Sequence, residues 1–415
     1  MPALVARIQR TVPLLLALLV PLAFIACEAD GPVTPTDLVS STADAKGGNG
    51  KGGGPGGGGD DGGDGGGDPG TPVPSVRGEE LDLGAIPTGP SLAVFHAAGD
   101  YLVGVYWDVC GFVHRISTGV TRCILIEDED GALGFGDTFP LSVNAHGRVV
   151  GAYRARDRTE PLFVYDVDAG SSDLSGTLTL PSPPTGWDIV STDPDARVVD
   201  IHGRVLVDVA RQDPANPQLE TAWTVGLLSA DLSTITIEPG TYDFVGLAGL
   251  SDAGYAAVTL RGFAGGDRNG YYGATWSGAS GESAAVLAGT EGRKAASVQG
   301  VFDGSGIYGV DGDRPVYWTG PLASPVSFSD VRLRGLAGHD DAGRLLSVRD
   351  AGSKQPGVGT CLTAAGGQTD LLLPDGYSDA YPRSGATGVA YGMATDPSGQ
   401  PVVMTWDLSG VTGGC

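Results

Sequence analysis

Residues 142–166 read SVNAHGRVVGAYRARDRTEPLFVYD, and the order of events in that stretch decides the fold. Asn144 and Gly147 frame a tight turn. An apolar, β-rich run follows at 148–153, then a polar loop, then a strand carrying Phe163. Asn or Asp caps such a turn by bonding the backbone ahead of it, and Gly supplies the positive φ. The same phrase returns at 249–276 (GLSDAGYAAVTL…GATW) and at 302–318 (FDGSGIYGVDGDRPVYW), and more loosely around Gly99, Gly203, Gly343 and Gly388. Self-similarity at roughly 45–50 residues marks radially repeated β-sheet units.

Each unit reads as four short strands. The first ends in the turn. The second is the apolar run, which in several units carries a further glycine (Gly104, Gly151, Gly309, Gly392), placed where backbones approach closely near a central axis. The third ends on a bulky residue, Phe112, Phe163, Trp223, Trp276, Trp318, Leu362 or Trp406, suited to packing between neighbouring units. The fourth closes on Pro or Gly. Such sheets cannot shield themselves singly, so the expectation is an all-β fold: a β-propeller of about seven four-stranded blades, closed by an N-terminal strand. After Trp406 the chain has no good fourth strand, whereas residues 80–87 (ELDLGAIP) read as a fourth strand with no predecessors. Residues 81–86 are therefore expected as the outer strand of the Trp406 blade, a pairing that hides two sheet edges.

The run Val143-Asn144-Ala145-His146-Gly147-Arg148-Val149-Val150-Gly151 resembles the HAF-type repeat of bacterial extracellular β-propellers. The Gly254 and Gly306 units match it in part. The Gly203 and Gly343 units lack the second glycine, and the Gly343 unit lacks the Trp. The resemblance covers most of residues 81–407 and implies an exported propeller; it speaks to fold rather than activity. Other propeller signatures fit less well. The Trp406-Asp407 dipeptide does not recur in the other units, and Ser171-Ser172-Asp173-Leu174-Ser175-Gly176 misses the spacing of an Asp box.

The N-terminal part of the chain has a different composition. Residues 1–26 carry Arg7 and Arg10 ahead of an apolar run that is short for a bilayer-spanning helix. The run stops at Phe24-Ile25-Ala26-Cys27, which resembles a bacterial lipoprotein signal with Cys27 as the lipidated residue. Glu28 after the cysteine then favours the outer membrane or cell surface. Residues 27–77 are dominated by Gly, Pro, Thr and Asp and cannot bury enough apolar area to fold; they read as a disordered linker. The propeller occupies 78–415. Cys110, Cys123, Cys361 and Cys415 remain in the exported part, an even number that permits disulfides; Cys110 with Cys123, on consecutive strands, is one plausible pair, leaving Cys361 with Cys415.

Chemistry is sparse. The net charge of −24 argues against nucleic acid or an anionic lipid surface, leaving the lipid anchor as the membrane contact. No nucleophile elbow, zinc-protease helix, phosphate loop or dinucleotide fingerprint occurs, and nothing calls for a cofactor. His96, His114, His146, His202 and His339 mostly fall near equivalent turns. Equivalent turns on separate blades lie too far apart to share a metal ion, so these histidines are read as solvent-exposed. The loops between strands two and three hold Arg154, Arg156, Arg158, Arg211, Arg268 and Arg314, and the blade connectors hold Trp187, Tyr377 and Tyr381. In a propeller these share one face, and guanidinium forks beside aromatics suit capture of a protein or an acidic glycan. The expected function is a monomeric, lipid-anchored binding or scaffold module. The alternative is a propeller enzyme acting on carbohydrate through axial carboxylates.

Overall fold

The computed structural model describes residues 73–84, 92–107, 109–126, 138–153, 161–191, 198–213, 216–262, 270–289, 297–302, 306–311, 314–327, 333–340, 342–349, 357–363 and 366–411. The signal, Cys27 and nearly all of the linker lie outside these residues. Strands are the only regular elements among the described residues. They form seven antiparallel sheets in sequence order, over residues 92–124, 138–179, 187–237, 244–286, 297–327, 333–372 and 378–407, here called blades 1 to 7. The first strand of each blade packs on the blade before it, that of blade 1 on blade 7 included. The Ser384 hydroxyl of blade 7 accepts from Ala97 N of blade 1 and donates back to Ala97 O. The ring is closed: a seven-bladed β-propeller.

Every blade bends its first strand in the same way. A register shift against strand two falls at Phe95, Leu141, Val190, Ala248, Gln299, Ala337 and Arg383, and the first strands of blades 6 and 7 carry a second shift nearer their start. A bulge turns the strand away and blunts its free edge, which a strand lining a propeller axis needs. The second-strand glycines fit this geometry. Gly104, Gly151, Gly309 and Gly392 each sit opposite the residue preceding the bulge, and a Cβ there would run into a first-strand carbonyl.

The turn glycines serve two purposes. Gly99, Gly147, Gly203, Gly254, Gly343 and Gly388 take φ between 55° and 95°, open to Gly at little cost. Several also leave room for the preceding blade. A Cβ on Gly147 would stand 2.9 Å from the Tyr101 ring, and one on Gly203 would stand 2.9 Å from the Arg148 guanidinium. Arg148 grips Asp166 with two hydrogen bonds, then donates to Gly203 O and Ala230 O of the next blade. Arg115 reaches Ser171 O of blade 2, and Arg344 of blade 6 reaches Leu408 O of blade 7. Asn144 Nδ2 donates to Asp200 O, linking the turns of blades 2 and 3 directly.

The bulky third-strand residues divide into two positions. Trp276, Trp318 and Trp406 are buried at the strand end, and their indole N–H groups donate to Glu282 O, Ala288 O and Leu372 O. Tyr165 fills that slot in blade 2, with its hydroxyl on Leu174 O, and Leu228 fills it in blade 3. Phe112 and Phe163 instead lie mid-strand, over Gly104 and Gly151. Trp223 is half-buried, five residues before Leu228, and does not occupy the shared position.

Closure uses the expected blade with a shifted register. β1 (Ser75–Arg77) runs parallel to the outer strand of blade 6, as its fifth strand. β2 (Glu79–Glu80) runs antiparallel to Pro401–Asp407 as the fourth strand of blade 7. The closing strand is thus Glu79–Glu80, extended by Leu81 N on Val403 O; of the expected 81–86, residues 82–84 lie past the pairing and 85–86 lie outside the described residues. Two features set this register. Gly78 packs under Trp406, where a Cβ would lie 2.6 Å from Nε1, and Asp82 accepts from Gly84 N in a turn that ends the pairing. Leu83 then turns inward, into the cluster between blades 7 and 1.

Candidate functional site

Strand one starts, strand two ends and strand three starts on the same face of the ring. Directly opposed residues in neighbouring strands share a sheet face, so the register determines which side chains meet there. In blade 3, Trp187 opposes Arg211. In blade 4, Phe244 opposes Arg261, which opposes Tyr271. The Arg261 guanidinium lies 5.5 Å from the Tyr271 ring centroid and 6.0 Å from that of Phe244, and Nη1 donates to the Tyr271 hydroxyl at 3.2 Å. The two rings meet edge to face at 5.6 Å, and Phe244 stays 40% exposed. Trp187 is half-buried against the core shared by blades 2, 3 and 4, and Arg211 is exposed. Adjacent blades thus present two aromatic–arginine groups on one sector of the face.

The other candidate residues are placed as follows. In blade 7, Arg383 stacks over Tyr381 at 4.7 Å. Tyr377 donates to Glu80 Oε2 at 2.8 Å and so helps to hold β2. Arg314 pairs through its backbone with Asp311, and its side chain lies outside the described residues. Arg154, Arg156, Arg158 and Arg268 also lie outside them. Cys110 and Cys123 are joined by a disulfide; Cys361 is disulfide-bonded, and Cys415 lies outside the described residues. Phe244, Arg261 and Tyr271 did not emerge from the sequence, because attention to loops passes over the last residue of a strand. The signal that could have found them was Arg261, the final residue before a Gly-rich loop, flanked at both strand ends by aromatics.

The acidic groups hold the structure together. Asp200 is gripped by Arg204, Asp340 by Arg344 and Asp370 by Arg349. Buried Glu238 accepts from Thr224, Tyr242, Gly240 N and Ala284 N, tying blade 3 to blade 4. An Asp-Leu-Ser turn follows the third strand of blades 2, 3 and 7, at Asp173, Asp231 and Asp407. Serine hydrogen bonds hold the Asp173 and Asp231 carboxyls down to about 2. Each resolved carboxyl shift among the described residues is downward, whereas a general acid needs an upward one.

The histidines divide. His146 and His202 are exposed on turns, as expected, but His96, His114 and His339 are buried. His96 and His114 lie within strands, where the alternation turns them inward, and His339 ends the first strand of blade 6. His96 Nδ1 accepts from Val143 N of the next blade at 3.3 Å, and His339 lies against Phe302 and Tyr308 of the preceding one. Among the described residues, no three His, Cys, Asp or Glu side chains converge to hold an ion.

No family model matches the chain, and no curated protein matches it. Among solved structures it is similar to puromycin hydrolase, with 15% identity and a TM-score of 0.49 over 81% of this chain and 55% of that one. It therefore spans about half the length of that protein. It is also similar to the β-propeller domain of the Trilobed protease from Pyrococcus furiosus, with 9% identity and a TM-score of 0.46 over 76% of this chain and 93% of that one. The RRP9 WD40 repeats match with 10% identity and a TM-score of 0.46, over 81% of this chain and 99% of that one. The fold assignment itself rests on the seven sheets and their closure.

Proposed function

We propose that this chain is an exported binding module, anchored through a lipid on Cys27 and spaced from the membrane by the glycine-rich linker. The propeller head captures a protein or glycan partner on the face formed by the ends of blades 3 and 4. The observation that carries this reading is the ordered Phe244–Arg261–Tyr271 stack beside Trp187 and Arg211. Arg and large aromatics dominate binding hot spots, because rigid rings and a planar cation lose little entropy on contact. The disulfide between Cys110 and Cys123 suits an oxidising compartment, and the HAF-type resemblance points the same way. Surface-borne capture also suits a ring in which buried Asp200, Asp340 and Asp370 are held by arginines and Glu238 ties blade 3 to blade 4.

The test is a glycan array together with purified envelope proteins, probed with the native chain and with a Trp187→Ala/Phe244→Ala variant. Loss of the two rings should weaken any specific ligand by at least about tenfold, or ~1.4 kcal/mol. Unchanged affinity removes this sector from consideration. Cys27→Ala should shift the protein to the soluble fraction, and membrane retention would refute the anchor.

A further inference from the structure

The segment that closes the ring ends in a buried relay whose protons can be assigned. The Thr121 hydroxyl of blade 1 donates to Leu83 O. Its single proton is committed there, so towards His114 Nδ1, 2.8 Å away, Thr121 can only accept. His114 therefore carries its proton on Nδ1. Nε2 is left as a bare acceptor, buried and without a partner, on a fully buried ring. Leu102, the cross-strand neighbour of His114, belongs to the same apolar cluster as Leu83, and that cluster spans blades 7 and 1.

We propose that His114 is an acid-sensitive latch: a second proton, on Nε2, puts a charge without an acceptor into the buried seam, and release of Asp82-Leu83 from blade 1 relieves it, loosening the seam where the ring closes. A protonated Nε2 would be a charged donor with no acceptor in a desolvated site. Relief comes most easily from the side that is not held in a sheet ladder. Residues 82–84 are that side, since the pairing with blade 7 ends at Leu81 N.

The charged groups acting on His114 are Asp100, from the first turn of blade 1, and Asp82, from the closing segment. Both favour the cation, and both are partnered: Asp100 by Ser117 N and Oγ, Asp82 by Gly84 N. Blades 1 and 7 add the phenols of Tyr106 and Tyr391 to the cluster. Burial outweighs the two carboxylates and lowers the His114 pKa to about 4. The released state should titrate near 6.5. Closure is therefore fully favoured above that value and weakens as the pH falls towards 4. By pH 5 the opening constant rises about 30-fold.

The test is hydrogen exchange on the full chain, expressed as protection factors corrected for intrinsic rates at each pH. Protection at Gly84, whose N–H is held by the Asp82 carboxylate, should fall by up to about 30-fold between pH 7.5 and pH 5, while Leu81, still on Val403 O, and amides in mid-blade strands keep theirs. His114→Asn keeps a donor near the Nδ1 position and cannot titrate, so its closing segment should show a flat profile over that range. An equal acid response in this variant, or none in the native chain, overturns the proposal. If the variant does not fold, the His114 imidazole titration in the native chain decides. A midpoint below 5 that coincides with loss of the Leu83 contact supports the latch; a midpoint near 6.5 with that contact intact refutes it.

Discussion

Gly151→Ala tests the account of how the blades bend. Gly151 opposes Pro140, one residue ahead of the blade 2 bulge, with the Phe163 ring across it on strand three. A Cβ there would lie 2.7 Å from two Phe163 ring carbons and inside the contact radius of Phe139 O. Carbon atoms prefer roughly 3.5–4.0 Å, so the methyl intrudes by about 1 Å on the ring and also on a backbone oxygen that sheet hydrogen bonds hold in place. Overpacking of this kind costs about 1–3 kcal/mol, offset by about 0.4–1 kcal/mol from the reduced freedom of the unfolded chain. The net expectation is a loss of about 1–2 kcal/mol, read from the urea midpoint by tryptophan fluorescence at constant m-value. Gly410→Ala is the control: a Cβ there has nothing within 4 Å, and the change should stay within about 0.5 kcal/mol. Phe163→Leu combined with Gly151→Ala should recover only part of the loss, since the carbonyl contact remains. A Gly151→Ala chain as stable as the native one would show that the glycine is not required by the bulge.

Two further perturbations probe the ring. Arg148→Lys keeps the charge but loses the fork on Asp166 and one of the carbonyl contacts with blade 3; it should cost about 1–2 kcal/mol in the same denaturation assay. Replacing Cys110 and Cys123 with alanine opens a loop closed over a sequence separation of 13, and should cost up to about 3 kcal/mol in urea titrations compared with the oxidised native chain.

Much of the architecture was legible in the sequence because the turns repeat. An Asx residue followed by Gly at fixed offset is a local signal, and six of the turn glycines take the left-handed conformation. The second-strand glycines were legible too, since a glycine amid Val and Ile in a strand marks a bulge or a close approach of backbones. The bulges themselves were not. Phe95, Leu141, Ala248, Gln299 and Arg383 share no chemistry, because a bulge is defined by backbone register rather than by a side chain. β1 was hidden for a similar reason: three residues, Ser75-Val76-Arg77, are too few to carry a period. His114 could not be told from an exposed histidine, since one residue of register decides which face of a strand it takes. The Phe244–Arg261–Tyr271 stack assembles from three separate strands, and only their pairing brings it together.

The two faces of the ring use arginine in different ways. On the turn face Arg115, Arg148 and Arg344 each donate to a backbone carbonyl of the following blade. A carbonyl is present whatever the neighbouring sequence, so such a clamp tolerates drift in the repeats while keeping successive blades in register. Arg148 and Arg204 also lie over the turn glycines of the next blade, which links the repeated Gly to the repeated Arg beside it. On the opposite face Arg261 stacks on rings of its own blade. A side chain that supports no neighbouring blade can change without loosening the ring. Substitution is therefore best tolerated at the exposed end of blade 4, where Phe244 and Arg261 lie, and most costly among the turns that made the repeat visible.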